Sequence, residues 1–496
     1  MNDVLLLGKK CYFFYFSGSR LDKLYSGKTR RWVAVVAAIV EMFWFSGVHY
    51  GYNALLPALK ELGVFSSFCK GSDCSEQDKM FSYAFIVSVI VQMCMIPLAG
   101  FLMDKVGLRI NKLVSVSVVS VGLLMFAFTN SGTGPLIFVA MALVSYASLA
   151  SLICNHQISS QFPRARSVVI ALVSGAYDSS TAVFFIFAQT YPRISLQTSF
   201  IILAVGTLIF GVTMALFFLT QYSEDMTYCD KSSRDDEAEI LEVDGEITSQ
   251  VEKDALSSEG EGQNVDAQIT QILEKKYPDL KSCFRSWPFF LVAFWFALGL
   301  LRFSYFFSQL SKQLEVAFPG QRNIVDNLLR ISSAVSMCGF LVAPISGLIM
   351  ELSKRAYQKQ MKRHLANEPD YPVDANKMYW THLRAMAPAT TIMATAALIL
   401  SSVLFVLQQQ SVFYVAFVCH MFLRSLLFST TATMVIIAFP VRNYGIVYGV
   451  ANFIAGVVST IQYGMLELPV AAGNAVCVVV SVLMFIPPLF LFFKNK

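Results

Sequence analysis

Charge is what this chain has least of. Only 14% of its residues are Asp, Glu, Lys or Arg, where a soluble globular domain carries about a quarter. With 55% hydrophobic residues and a mean hydropathy of +0.57, a water-soluble fold is excluded and lipid must serve as solvent. No G-x-x-x-x-G-K-[ST] segment is present, so nothing marks an energy-coupling ATPase. There is no C-x-x-C pair and no His/Cys cluster. The five histidines, His49, His156, His364, His382 and His420, are too dispersed in sequence to argue a site, so neither a metal nor a cofactor is expected. No nucleophile and base stand at a recognisable spacing, which argues against an enzyme. No N-x-Ser/Thr sequon occurs. Cys11–Ser17 is aromatic but too short to span, and Asp3, Lys9 and Lys10 around it do not make a secretory signal.

What the chain has instead is length of apolar run. Twelve stretches reach the roughly 17–25 residues that a bilayer core demands of a helix: about 32–58, 80–103, 113–130, 134–158, 167–190, 197–221, 287–310, 325–350, 385–407, 411–438, 444–466 and 471–493. Two pairs of segments repeat about half a chain apart. Gly100-Phe-Leu-Met-Asp104-Lys105-Val-Gly107-Leu-Arg109 is matched by Gly347-Leu-Ile-Met-Glu351-Leu-Ser-Lys354-Arg355. Phe162-Pro163-Arg164 is matched by Phe439-Pro440-Val441-Arg442. Such a duplication describes a membrane transporter built of two related halves. The expected organisation is a tail at 1–31, a six-helix bundle at 32–222, a linker at 223–286, a second six-helix bundle at 287–493 and a short tail at 494–496. The linker holds seventeen of the chain's 33 acids and is expected to be largely disordered, a tether rather than a docking site, with a short helix at Ile269–Lys276.

Lys and Arg set the orientation. They crowd the tail (Lys9, Lys10, Arg20, Lys23, Lys28, Arg30, Arg31) and the loops after spans two, four and eight, including Lys105, Arg109, Lys112, Arg164, Arg166, Lys354 and Arg355. With twelve spans these regions share one side, so both termini are expected to be cytoplasmic. The net charge of +5 is then a topology signal and no nucleic-acid partner is implied. Cys69 and Cys74 fall in the first external loop, where they form either a small local disulfide or two free thiols.

Ionisable side chains inside spans are the first candidates for function. Glu41 and Asp178 lie in the first half, Arg302 and Arg424 in the second, so opposite charges can face each other between the halves or serve only as structural pairs. Glu41, Phe45, Val48 and Tyr52 share a helix face, with Asn53 one turn on. Asn155-His156-Gln157 ends span four. Ser174, Asp178 and Thr181 line one face of span five, either toward a wet cavity or bonded to their own helix. Tyr305 and Phe306, after Arg302, are candidates to stack on a flat solute. Asp104, Lys105 and Arg109 are read as a conformational latch between helices rather than a catalytic group, together with Gly100, Gly107 and the repeat partners Gly347 and Glu351.

Gly100-x-x-x-Asp104-Lys105-x-Gly107-x-Arg109 resembles the signature loop of the major facilitator superfamily. More narrowly, Gly175-Ala-Tyr-Asp178-Ser-Ser-Thr-Ala-Val-Phe184, Arg424-Ser-Leu-Leu-Phe428, Ala438-Phe-Pro440, Tyr444-Gly445 and Tyr448-Gly449 resemble solute carrier family 43. Glu41 matches an acid in that family's first span. The family has two branches, one carrying large neutral amino acids and one carrying purine nucleobases such as adenine. Asp178, Arg424-Ser425 and Ala438-Phe439-Pro440 look like the nucleobase branch, whereas Leu301-Arg302 looks like the amino-acid branch. The resemblance implies facilitated diffusion of a small solute without a coupling ion; the expected fold is all-α, with twelve transmembrane helices in two six-helix pseudo-repeats, and the expected location is the plasma membrane. A solute sensor or scaffold that no longer transports is the rival of another class. The sequence leaves the oligomeric state open, and a monomer is compatible with it.

Overall fold

The computed structural model describes residues 27–69, 75–162, 165–221, 269–367, 375–405 and 409–494. Among them there are helices and turns but no strand, as expected where backbone polar groups must be satisfied within each lipid-embedded segment. Ten helices are individually long and apolar enough to cross a membrane. Spans two to six are Lys79–Val106, Leu108–Ala127, Leu136–Gln161, Arg166–Thr190 and Leu196–Phe217. Span seven is Trp287–Leu310, and spans nine to twelve are Ala375–Val403, Gln410–Ala438, Val441–Glu467 and Val470–Phe493. Two bent pairs complete twelve. Span one is Arg30–Phe45 plus Val48–Glu61, bent by 40°, and span eight is Asn323–Met337 plus Leu341–Gln360, bent by 46°.

The breaks have chemical causes. In span one, Gly47 takes φ 63°, a left-handed conformation open to glycine at little cost. Gly47 also lets the chain approach span five: an added Cβ would stand 2.5 Å from the Tyr177 carbonyl. In span eight the helix ends at Met337 and restarts at Gly339. The Met337 carbonyl freed there is taken by a neighbouring span, Ser179 donating to it at 2.8 Å, and Ser425 donates to Gly339 O at 3.1 Å just past the break. Irregular backbone at membrane depth is tolerated on that condition.

Spans two, three, four and six pack on one another, as do spans seven, nine, ten, eleven and twelve. Two seams join the halves: span two against span eleven, and span five against spans eight and ten. Gly100 and Gly445 bring backbone against backbone in the first seam, where an added Cβ on Gly100 would collide with the Gly445 carbonyl.

Several elements run past the apolar windows. Span nine begins at Ala375, and the helix of span eight continues to Asn367. Hydropathy reports only the part of a helix that lipid covers, so polar extensions are invisible to it. The expected linker is also more ordered at its end than its acidity implies. Residues 269–276 are helical, as their spacing predicts, because Ile269, Ile272 and Leu273 form a small apolar face. Ile269, Leu273, Tyr277 and Cys283 are buried. The Tyr277 hydroxyl meets that of Tyr379 at 2.9 Å, Lys276 stands 4.0 Å over the Tyr379 ring, and Arg442 donates to the carbonyls of Tyr277 and Pro278 at 3.3 and 2.9 Å. This end of the linker is therefore docked on spans nine and eleven, not free. Linker residues 223–268 lie outside the described residues, as do Tyr222 before them, the tail before Gly27 and the Pro163-Arg164 part of the repeated motif.

Candidate transport site and the seam between spans two and eleven

Glu41, Asn155 and a residue the sequence reading assigned to a loop form one buried cluster. Span three starts at Leu108, so Lys112 lies a turn inside the helix rather than before it. Its ammonium is fully buried and meets Glu41 Oε2 at 2.8 Å, Ser151 Oγ at 2.6 Å and Asn155 Oδ1 at 3.0 Å. Asn155 in turn donates to Glu41 Oε2 at 2.8 Å. All three ammonium protons have acceptors. The cluster ties spans one, three and four together inside one half. The face predicted to run through Glu41 packs inward too: Phe45 lies 5.5 Å from Phe210 and Tyr52 6.4 Å from Phe81. Asn53 is exposed, away from this cluster.

Asp178 and Arg424 are arranged differently. They join span five to span ten, across the halves. Arg424 Nε stands 3.5 Å from Asp178 Oδ1, an ion pair longer than a good hydrogen bond, while Nη2 donates to the Asp178 carbonyl at 2.8 Å. The guanidinium lies over the Tyr50 ring at 4.6 Å. Both Asp178 carboxylate oxygens and Arg424 Nε are buried without a hydrogen bond. Around them the same holds for the Tyr50 hydroxyl, Gln92 Oε1 and the Tyr448 hydroxyl. Gln92 uses its nitrogen on the Tyr177 hydroxyl at 3.1 Å. Each unpaired buried polar atom costs about 1–3 kcal/mol. These atoms converge at the breaks of spans one and eight, between the halves, and buried donors and acceptors of this kind are what a solute site is built from.

The remaining predicted residues lie elsewhere. Arg302 donates from Nε to Ser401 at 2.8 Å within the second half, leaving one terminal nitrogen without a partner. The Tyr305 hydroxyl donates to Met465 O at 3.2 Å, so this ring is a strut between spans seven and eleven. Ser174 meets His156 Nε2 at 3.0 Å, and His156 Nδ1 meets the Tyr444 hydroxyl at 3.3 Å, a bridge from spans four and five to span eleven.

The seam between spans two and eleven holds the loop that the sequence predicts to be a latch. Leu102–Val106 is a π-turn closed by Gly107, whose φ of 129° suits glycine and whose N–H bonds Leu102 O at 2.9 Å. The turn aims Asp104 across the seam, where Oδ2 accepts from the Ile446 N–H at 2.9 Å. A carboxylate at a helix N-terminus meets free N–H groups and the positive end of the helix dipole. Arg109 does not join Asp104. It caps the end of span six, donating to Leu219 O at 2.8 Å and Ala215 O at 3.1 Å. Lys105 is exposed. In the repeat partner, Glu351 pairs with Arg355 at 3.2 Å along its own helix, and Gly347 packs on span five, where an added Cβ would stand 2.6 Å from Ser167 O. Cys69 is disulfide-bonded, while Cys74, its expected partner, lies outside the described residues.

Twelve bilayer-length helical spans, two seams between the halves and a polar centre buried in one of them define a multi-pass membrane transporter rather than an enzyme. The sequence pattern of the Major Facilitator Superfamily matches residues 33–462, and the chain belongs to that family. It is 25% identical over 488 residues to the equilibrative nucleobase transporter 1 of Bos taurus, covering 92% of this chain and 95% of that protein. It is also 31% identical over 185 residues to the large neutral amino acids transporter small subunit 3 of Mus musculus, across 34% of this chain and 31% of the relative. Among solved structures, the proton:xylose symporter XylE superposes with a TM-score of 0.58 at 10% identity, covering 95% of this chain and 97% of its own. The human organic anion transporter MFSD10 superposes at 0.52 and 13% identity, covering 94% and 100%. These last two share the fold.

Proposed function

We infer that this chain carries purine nucleobases down their gradient by alternating access, its halves 32–222 and 287–493 rocking about the Asp178–Arg424 centre. One observation carries the reading. The two opposite charges between the halves already face each other, so the centre presents no uncompensated charge and suits a neutral solute with several donors and acceptors. Tyr50, Tyr177 and Phe303 form a ring-lined wall there, with centroids 5.9 and 6.2 Å from Tyr50, and a flat solute stacks on such walls. A full-length relative named as a nucleobase transporter supports the same solute. Sodium-independent transport of large neutral amino acids is the second reading. It is favoured by the unpartnered Arg302 nitrogen, a ready partner for a carboxylate, and by the partial relative.

The test is uptake of labelled adenine and leucine, side by side, in cells expressing the chain. Adenine is expected to win, with no need of a sodium or proton gradient. Leucine uptake in place of adenine moves the chain to the second reading, and accumulation collapsed by an ionophore reveals a coupling site. The plasma membrane is the proposed location. Tags at residue 2, within 240–260 and at 496 are expected on the cytoplasmic side and a tag near Ser72 outside, and protease protection that separates 240–260 from the tail overturns the topology.

A further inference from the structure

Two buried histidines flank the ring that Arg424 lies over. His49 is on the short turn Val48–Gly51 at the break of span one, and His420 is on span ten, one turn before Arg424. They are 0% and 2% exposed, and none of their four ring nitrogens makes a hydrogen bond of acceptable geometry, although Gln92 lies beside His49. Among residues of a lipid-embedded fold this is a costly arrangement, since each unpaired buried nitrogen forfeits about 1–3 kcal/mol.

Their surroundings supply an explanation. The His49 ring lies 4.1 Å from Tyr50, Tyr50 lies 6.2 Å from Phe303, and Phe303 is stacked on His420 at 5.2 Å with 6° between the ring planes. Phe306 closes on His420 at 4.4 Å. The four rings His49, Tyr50, Phe303 and His420 thus run unbroken from the first half into the second. They pass beside Arg424, which sits over Tyr50. Within this row of rings the halves meet at the Tyr50–Phe303 contact, edge to face at 73°.

A neutral imidazole offers one donor and one acceptor. Two of them, one in each half, offer two of each, set among ring faces. That matches a planar heteroaromatic solute, whose edge alternates ring nitrogens with N–H, amino or oxo groups. It does not match an aliphatic zwitterion, which needs fixed charges and has no face to stack. We propose that His49 and His420 are the specificity-determining pair of the transport site. On this proposal a planar heteroaromatic base enters between the Tyr50 and Phe303 rings, and each half reads one edge of it with its histidine.

The proposal rests on the nucleobase reading and is tested so that the two fail separately. Labelled adenine and hypoxanthine uptake is measured in the wild type and in His49→Phe, His420→Phe, His49→Gln and His420→Gln, each normalised to surface abundance. Adenine and hypoxanthine differ in amino against oxo at one ring position, so their ratio reports hydrogen-bond readout and not folding. Each Phe variant is expected to raise KM for adenine by about tenfold or more. Each Gln variant, which keeps a donor and an acceptor, is expected to hold KM within about threefold while shifting the adenine-to-hypoxanthine ratio. Should a Phe variant fail to reach the surface, the ratio in the matching Gln variant decides. Unchanged KM in the Phe variants, or an unchanged ratio in the Gln variants, overturns the histidine assignment with the nucleobase reading intact. Wild-type uptake of leucine without adenine overturns both.

Discussion

Two buried acid–base pairs stand among the described residues, and they differ in what surrounds them. Glu41–Lys112 lies inside the first half at 2.8 Å, with Ser151 and Asn155 completing the shell of the ammonium. Asp178–Arg424 lies between the halves at 3.5 Å, with both carboxylate oxygens unbonded. Burial is the same for both: neither pair has a side chain more than 2% exposed. Charge alone therefore does not separate structural from functional ions in a membrane protein. On the function proposed above, completeness of the hydrogen-bond shell does. The satisfied network ties three helices together, whereas the incomplete one lies between the halves, where the proposed solute site would draw on its unbonded atoms.

The sharpest way to break this comparison is to remove one member of the satisfied pair. Lys112→Met leaves Glu41 charged, buried and short of its main partner, which costs about 3–5 kcal/mol. The expected result is little protein at the surface and a large drop in unfolding temperature in detergent. The double variant Glu41→Leu/Lys112→Met is expected to recover much of that loss, because a buried pair replaced by apolar groups is often neutral. Near-normal stability of Lys112→Met would remove the structural role from this cluster and return Glu41 and Asn155 to the list of solute ligands.

The second pair should behave in the opposite way. Asp178→Asn keeps the shape, loses the charge and one acceptor, and stays beside an Arg424 that still donates to the Asp178 main-chain carbonyl. Surface abundance is expected to stay near wild type while adenine uptake falls about tenfold or more, equivalent to about 1.4 kcal/mol. Arg302→Gln, bonded to Ser401 within one half, is expected to change adenine uptake less. Strong leucine uptake abolished by Arg302→Gln, with Asp178→Asn silent, would reverse the ranking and with it the assignment of solute.

The sequence speaks clearly about one side of this comparison and poorly about the other. Asp178 and Arg424 are readable because an ionisable residue inside a long apolar run has few innocent explanations. The twelve spans and the repeated Asp104 and Glu351 loops are readable for the same reason, as breaks in a strong period. Lys112 is hidden because it sits just outside the apolar window, where a cytoplasmic lysine is the ordinary expectation, and only the early start of span three draws it in. His49, Gln92 and His420 are hidden by separation. No local pattern joins residues on spans one, two and ten, and an uncharged polar residue in a span is common enough to pass unnoticed. The helix at 269–276 could be read from its own apolar spacing, but its dock could not, since Tyr379 and Arg442 come from far along the chain.

A third perturbation acts on the seam rather than on the centre. Asp104→Asn keeps an acceptor for the Ile446 N–H but removes the charge that the start of span eleven favours. Transport is expected to fall with surface expression largely kept, through a bias between gate states of about 1–3 kcal/mol. Accessibility of a cysteine introduced on the cytoplasmic side should rise as the seam opens more often. Equal transport rates at equal surface abundance would mean that Asp104 is an ordinary helix cap and that no gate state depends on it.

The smallest effect is expected at the linker's docked end, which extends the rule of satisfied shells to the water-exposed rim. Arg442 holds the carbonyls of Tyr277 and Pro278 at the start of span eleven, a few residues from the N–H groups that Asp104 caps. Arg442→Gln removes charge-assisted bonds that water can replace, so the loss is about 0.5–1.5 kcal/mol rather than the cost of an orphaned buried ion. Hydrogen exchange of the 269–276 amides is expected to quicken by roughly tenfold at most, the equivalent of about 1.4 kcal/mol, while transport changes little. Tyr277 and Tyr379 keep their 2.9 Å contact in that variant, so the helix should loosen without leaving. If Arg442→Gln instead abolishes transport at normal surface abundance, the docked linker is part of the gate. In that case the division between satisfied structural contacts and unsatisfied functional ones fails at the seam, where one set of bonds would serve both purposes.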